Sequence, residues 1–313
     1  MHTHSYIYSI NYDIHNEELC KLESRQIFGE EEQDNLLFSN LKLNPSISPF
    51  IRSRFELILS ATDYSGLLEK IKQKNIHVDG FKVEYLVLSG DPTKYADRLS
   101  KLKDTGYCIE GDPDYTNPSI TYAIGQYKNT WYFGVLTKHQ TDWLAHKKKP
   151  CSFSSAINMD IAKALVGIAS KGDQNQRMLD ACCGVGTVML EACIAGFDIE
   201  GCDINWKACR STRTNLAHYN YTAKVYRSDV KDLTQQYDTA IIDLPYNLYT
   251  SSNDASTFNI IESTAKLAPR VVIVSTVGIE THIRNSGLKV SDSCTVEKKG
   301  KKFARNIWVC ERM

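Results

Sequence analysis

The residues best suited to chemistry form a short run, Asp243, Leu244, Pro245, Tyr246 and Asn247, directly after the apolar stretch Thr239 to Ile242. An exocyclic base amine is a poor nucleophile because its lone pair is delocalised into the ring. A carboxylate and neighbouring backbone carbonyls can hold both amine hydrogens, pull the nitrogen toward tetrahedral geometry and accept charge as a methyl group arrives. Proline fixes the turn without adding a competing amide donor, and a tyrosine ring can stack on the base. Asp243, Leu244, Pro245 and Tyr246 are therefore the expected catalytic residues. The alternative is a strand-ending turn with a buried tyrosine.

Upstream, Asp180, Ala181, Cys182, Cys183, Gly184, Val185, Gly186 and Thr187 join an apolar run to a helical pattern. Glycines let the backbone approach a ligand closely, and a helix start offers free amides to a carboxylate or phosphate. A dinucleotide loop would need a third glycine where this chain has Met189. The carboxylate four residues before the first glycine suits the cationic amino end of S-adenosylmethionine instead, which is the expected cofactor. Asp180, Cys182, Gly184 and Gly186 are its expected contacts. Asp203, followed by Ile204, ends the next apolar run and can accept from both ribose hydroxyls. That feature would suit NAD equally, and Asp203 could also cap a helix. Asp229, followed by Val230, stands where a third strand would end and could accept from an adenine amine.

These residues need a scaffold, and the alternation of apolar runs with helical patterns from Arg177 onward is the signature of a sheet with crossover helices. The runs are Met178 to Ala181, Ile199 to Cys202, Lys224 to Tyr226, Thr239 to Ile242 and Arg270 to Val274. Helical patterns at Thr187 to Ala195, Trp206 to His218 and Ser256 to Leu267 separate them. Val290 to Val296 and Phe303 to Val309 read as a closing antiparallel hairpin.

The first half reads as a smaller α+β unit. Its expected strands are Tyr6 to Tyr12, Phe55 to Leu59 and Val83 to Leu88, with helices at Glu17 to Phe28, Tyr64 to Lys74 and Tyr95 to Lys103. A hairpin is expected from Ser119 to Ile124 and Thr130 to Leu136, and Lys147 to Phe153 reads as a linker. At 313 residues two units are expected, divided as 1–148 and 149–313.

Lysine plus arginine and aspartate plus glutamate each number 37, so no net charge demands or excludes a polyanion, and any such partner needs a local patch. Two exist: Lys138, His139, His146, Lys147, Lys148 and Lys149 around Trp143, and Lys298, Lys299, Lys301, Lys302 and Arg305. Solvated surface is the alternative for each. Ten cysteines without a C-x-x-C spacing read as buried reduced thiols rather than disulfides or a metal site, and no metal is expected. With no membrane-length apolar run and no leader pattern at Met1 to Tyr12, the expected location is cytoplasmic and no membrane partner is expected.

Asp180 to Thr187 resembles the D-P-F-C-G-S-G-T loop, and Asp243 to Tyr246 the D-P-P-Y motif, of the RNA methylases that carry an N-terminal THUMP domain. Asn117 to Thr121 and Tyr132 to Gly134 look like the N-P-D-(V/L)-T and Y-F-G end of such a domain. The resemblance covers roughly residues 50 to 313, most strongly from 150. It implies a Rossmann-like, seven-stranded class I methyltransferase domain behind a THUMP-like RNA-binding unit, with S-adenosylmethionine as cofactor and RNA, most specifically tRNA, as partner.

The subgroup it is most similar to is the tRNA guanine N2-methyltransferases that act at position 10. The chain departs from that pattern at Ala181, Val185, Leu244 and Asn247, and Leu244 to Asn247 also resembles the N-L-P-Y-N of rRNA adenine dimethylases. Guanine N2 and adenine N6 thus both stand as target amines, in tRNA, rRNA or another RNA. A catalytically silent RNA-binding relic is the other alternative, and a nicotinamide-dependent dehydrogenase the third.

Overall fold

A computed structural model describes residues 4–153, 156–245, 254–297 and 304–313. In chain order the elements are β1 (Tyr6–Ile10), α1 (Glu17–Phe28), β2 (Leu36–Ser39), β3 (Ile51–Ala61), α2 (Tyr64–Lys74), β4 (Ile76–His77), β5 (Phe81–Tyr85), α3 (Tyr95–Gly106), β6 (Ile109–Glu110), β7 (Ile120–Tyr127) and β8 (Thr130–Lys138). There follow α4 (Met159–Ser170), β9 (Arg177–Asp180), α5 (Thr187–Ile194), β10 (Asp198–Asp203), α6 (Trp206–His218), β11 (Val225–Arg227), β12 (Thr239–Asp243), α7 (Asp254–Leu267), β13 (Arg270–Ser275), α8 (Glu280–Asn285), β14 (Leu288–Glu297) and β15 (Ala304–Arg312). Short 3-10 helices cover Asp142–Lys148 and Val230–Asp232.

The chain divides into two compact units. The first comprises residues 1–11, 32–46 and 50–140. Its sheet runs β2-β1-β3-β8-β7-β5, antiparallel except for the β5–β7 pair. The β7–β8 hairpin turns where expected, with Lys128 at φ 53°. Side chains alternate across these strands. Ile7, Phe55, Ala123 and Tyr132 fill one face, and Ile124, Trp131 and Phe133 pack on the other with Leu67 and Ile71 of α2. Asp63 caps α2 by accepting from Gly66 N at 2.8 Å, and Asn75 ends the helix in the left-handed region.

The second unit comprises residues 12–31, 47–49 and 141–313. Its seven-stranded sheet has the order β11-β10-β9-β12-β13-β15-β14, in which β15 alone runs antiparallel to the other six strands. Numbered within the sheet this is 3-2-1-4-5-7-6, the Rossmann-like arrangement of class I methyltransferases. Its central strands are buried on both faces: Ala240, Ile241, Ile242 and Val271 to Val274 are all fully inaccessible.

Two features differ from the sequence reading. The compact units do not follow a single cut at 148, because α1 belongs with the second unit. Leu19, Leu22 and Ile27 are buried, α1 packs on α4 and β14, and Arg25 and Gln26 both bind Asp292 of β14, at 2.9 and 2.8 Å. Helix α4 had no forecast at all. Every residue in it except Asp160 is buried, so it is an interior helix rather than a surface one. No helix among the described residues is long and apolar enough to cross a membrane.

Candidate active site

Three neighbouring strands deliver three carboxylates to one end of the second sheet. Asp180 closes β9, Asp203 closes β10 and Asp243 closes β12, and the sheet places β9 between the other two. The chain leaves β9 toward β10 on one side and returns to β12 on the other. The crevice between them is the switch point at which parallel α/β sheets bind ligands. It holds a cavity of about 360 Å³ lined by Asp180, Cys182, Gly184, Asp203, Ile204, Asp243, Leu244 and Pro245 among the expected residues. That volume is in the range for a small-molecule site.

The glycine loop is built by hydrogen bonds to its neighbours. Ala181 N donates to Ile241 O at 2.9 Å and Cys183 N to Cys202 O at 3.0 Å, so the loop grows out of the sheet. Gly184 and Gly186 both have positive φ, at 54° and 77°. Gly184 N donates to Asp203 Oδ2 at 3.0 Å, and Asn205 N to Asp203 Oδ1 at 2.8 Å, fixing that carboxylate at the rim. Thr212 Oγ1 donates to Gly184 O at 2.8 Å, and Asn215 Nδ2 to Val185 O at 2.8 Å. The helix cap at this point is Asn205, which accepts from Lys207 N at 3.0 Å, rather than Asp203.

Asp180 is buried at 2% exposure. Burial raises its pKa well above the usual carboxylate range, and the nearby carboxylates of Asp243 and Asp203 add to the effect, against one backbone hydrogen bond from Cys182. A ligand cation beside it would counter the repulsion from the other two carboxylates. At the start of α5, the Thr187 hydroxyl is buried without a hydrogen-bond partner and lines the same cavity. Burial raises the thiols of Cys182 and Cys183 well above their ordinary values, and that of Cys202 likewise. None is a ready thiolate.

Gly186, Asp229 and Val230 are not among the described residues that line the cavity. A Cβ on Gly186 would meet Thr212 Cγ2 at 2.5 Å, so the glycine permits the close packing of α5 against α6. Asp229 caps the 3-10 helix that follows it and pairs with Lys231 at 3.3 Å. Val230 is 4% exposed and packs in the core with Tyr237 and Ile242. Tyr246 and Asn247 lie outside the described residues, as do Lys298, Lys299, Lys301 and Lys302. Leu244 lines the cavity although its side chain is buried in the core, and Leu244 N donates to Val274 O at 3.0 Å.

The sequence reading missed Phe153, Ala156 and Ile157, which line the cavity from the segment ahead of α4, together with Thr187, Val188 and Ala208. It also missed a buried polar hub beside the cavity wall. His146 Nδ1 lies 2.7 Å from Glu191 Oε1 and its Nε2 3.2 Å from the Tyr221 hydroxyl; Lys163 Nζ is 3.7 Å from Glu191 Oε2. His146, Lys163 and Glu191 are at most 1% exposed. The turn that runs into the expected linker is thus docked, with Trp143 and His146 inward and the linker's Lys147 and Lys148 exposed.

Strand order and crevice together give the Rossmann-like fold of class I methyltransferases, a class whose cofactor is S-adenosylmethionine. Residues 146–273 match the family described as RMKL-like, methyltransferase domain. The chain is 27% identical over 202 residues to the tRNA (guanine(10)-N2)-dimethyltransferase of Methanothermobacter thermautotrophicus, covering 62% of this chain and 59% of that protein. It is 25% identical over 230 residues to the protein of the same name from Methanocaldococcus jannaschii, covering 66% and 61%. The matched region therefore spans about three fifths of these curated relatives. Among solved structures, TrmN from Thermus thermophilus aligns over 98% of this chain and 99% of its own, at 13% identity and a TM-score of 0.48.

Proposed function

We infer that the protein transfers methyl from S-adenosylmethionine to the exocyclic amine of an RNA base, most specifically guanine N2 in tRNA. The observation that carries this reading is the convergence of Asp180, Asp203 and Asp243 on one cavity, each from a strand end and each with a separable role. The two curated relatives support the choice of tRNA and of guanine N2.

The donor set fits the cofactor. Asp180 would take its amino group, Thr187 and the first amides of α5 its carboxylate, Asp203 its ribose, and Ile204 and Ala208 the adenine face. When bound, the cofactor supplies an electrophilic methyl group on a sulfonium. Asp243 and the carbonyls of Leu244 and Pro245 would hold the amine hydrogens, turning the nitrogen lone pair toward the methyl and stabilising the charge that develops. Tyr246 would stack on the base. With the neighbouring thiols held protonated, the transfer is direct, without a covalent enzyme intermediate. The first unit would be the THUMP-like RNA-binding region, gripping phosphates and shape, with Lys147 and Lys148 adding to that contact.

The test incubates the protein with labelled S-adenosylmethionine and unmodified bulk tRNA, then identifies the product by mass spectrometry of the digested nucleosides. N2-methylguanosine or N2,N2-dimethylguanosine is the expected product. N6-methyladenosine would move the assignment to the adenine amine, and label in no nucleoside would overturn the reading.

A further inference from the structure

Phe153 is an aromatic residue with no role assigned so far. It lines the cavity yet keeps 47% of its surface exposed, and it makes no ring contact among the described residues. Its position is fixed from both sides. Two residues earlier, Cys151 N donates to Asn215 Oδ1 at 2.8 Å and Cys151 O accepts from Asn215 Nδ2 at 2.9 Å. The same fully buried Asn215 amide also donates to Val185 O in the glycine loop, so one side chain ties this strap to the loop. On the other side Phe153 O accepts from Ala156 N at 3.1 Å.

The orientation of α4 shows where the strap leads. Arg270, the first residue of β13, donates to Ala169 O at 3.0 Å and Ile168 O at 2.8 Å. This pins the last turn of α4 at the amino end of β13. The helix therefore begins over the carboxyl ends of the strands, above β12 and β13, where Asp243 lies. The strap crosses from α6, which packs on β10 and β11, toward that side. A ring serving only the enclosed cofactor would be buried within the cavity. Phe153 instead stands half open to solvent while lining the same cavity as Asp243.

We propose that Phe153 is a base-stacking residue that positions the target nucleobase over Asp243. This rests on the methyltransferase reading above and adds a residue to its substrate side. The aromatic face is sequence-tolerant and suits an unpaired base, whose π surface gains most from a ring held in place beforehand.

The test compares wild type, Phe153→Ala and Phe153→Tyr in steady-state methyl transfer to unmodified tRNA, alongside calorimetric titration with S-adenosylhomocysteine. Phe153→Ala should lower kcat/KM for RNA by roughly 10-fold to 100-fold, as expected for losing one stacked base, with cofactor affinity within about twofold of wild type. Phe153→Tyr should stay within about threefold of wild type, because it keeps the π face. A fall in S-adenosylhomocysteine affinity that matches the fall in kcat/KM would assign the ring to the cofactor and overturn the proposal. Unchanged kcat/KM in Phe153→Ala would overturn it as well. Wild-type protein that methylates no RNA would instead remove the reading beneath it.

Discussion

The second unit treats two of its buried ionisable groups, Glu191 and Asp180, in opposite ways. Around Glu191, each ionisable group faces an opposite or complementary one: His146 on one oxygen, Lys163 near the other, and the Lys163 ammonium 5.2 Å from the Trp143 ring. Around Asp180, the neighbouring charges are two more carboxylates, and burial is offset by only a backbone hydrogen bond from Cys182. Buried charge that the fold pairs internally holds elements together, here the 141–149 turn, α4 and α5. A buried carboxyl surrounded by like charges is what a site for a cationic ligand would present, which is the role proposed for Asp180.

The hub offers the hardest test of this contrast. Lys163→Met would leave the buried Glu191 carboxylate without its cation, and should cost about 3–5 kcal/mol in denaturant unfolding, the range for breaking a buried pair. Adding Glu191→Leu should recover much of that loss. A neutral single variant would mean that the hub is not a stabilising pair.

Asp243→Ala should act on chemistry alone. Single-turnover methyl transfer should fall by roughly 10²-fold to 10³-fold, while S-adenosylhomocysteine affinity stays within a few-fold. Wild-type turnover in this variant would reduce the site to a resemblance of fold. Asp203→Ala should show the reverse pattern, losing about 1.5 to 3 kcal/mol of cofactor affinity by calorimetry, since its carboxylate makes charge-assisted hydrogen bonds. Full affinity in that variant would place the ribose elsewhere.

The smallest effect is on stability in the absence of ligand. The folded-state pKa of Asp180 is raised, so its contribution is most favourable below the unfolded carboxylate value and is lost as pH rises through the folded value. At neutral pH, Asp180→Asn should therefore raise the melting temperature of the free protein by about 2–4 °C, the shift that ~1 kcal/mol gives in a domain of this size. The same variant should bind S-adenosylhomocysteine more weakly than wild type. A lower melting temperature would show that Asp180 serves the fold.

What the sequence discloses differs between these regions for physical reasons. The strands ending at Asp180, Asp203 and Asp243 are apolar runs closed by a carboxylate, and that local pattern survives into the sheet with boundaries shifted by a residue or so. Helix α4 carries as much helical period as α1 or α3, but it lies ahead of Arg177, where the alternation of strands and helices begins in the sequence. Phe153 sits among serines, where a lone aromatic signals nothing until Asn215, far along the chain, anchors the strap. Gly186 has a visible glycine but a hidden reason, the Thr212 methyl against its Cα. His146 reads as part of a basic surface cluster, and only the tertiary fold turns it inward to Glu191.

The placement of α1 carries a consequence for how the protein is made. Its apolar face is synthesised near the start of the chain, whereas Asp292, the partner of Arg25 and Gln26, comes hundreds of residues later. At common translation rates of about 5–20 residues per second, the helix waits roughly 10–50 s for β14 to emerge. Until α4, its other partner, emerges about midway through that wait, Leu19, Leu22 and Ile27 have no native surface to cover them, which is when a nascent chain is most open to chaperones and to misassociation. The second unit thus completes only when segments far apart along the chain meet, the kind of non-local contact that slows folding.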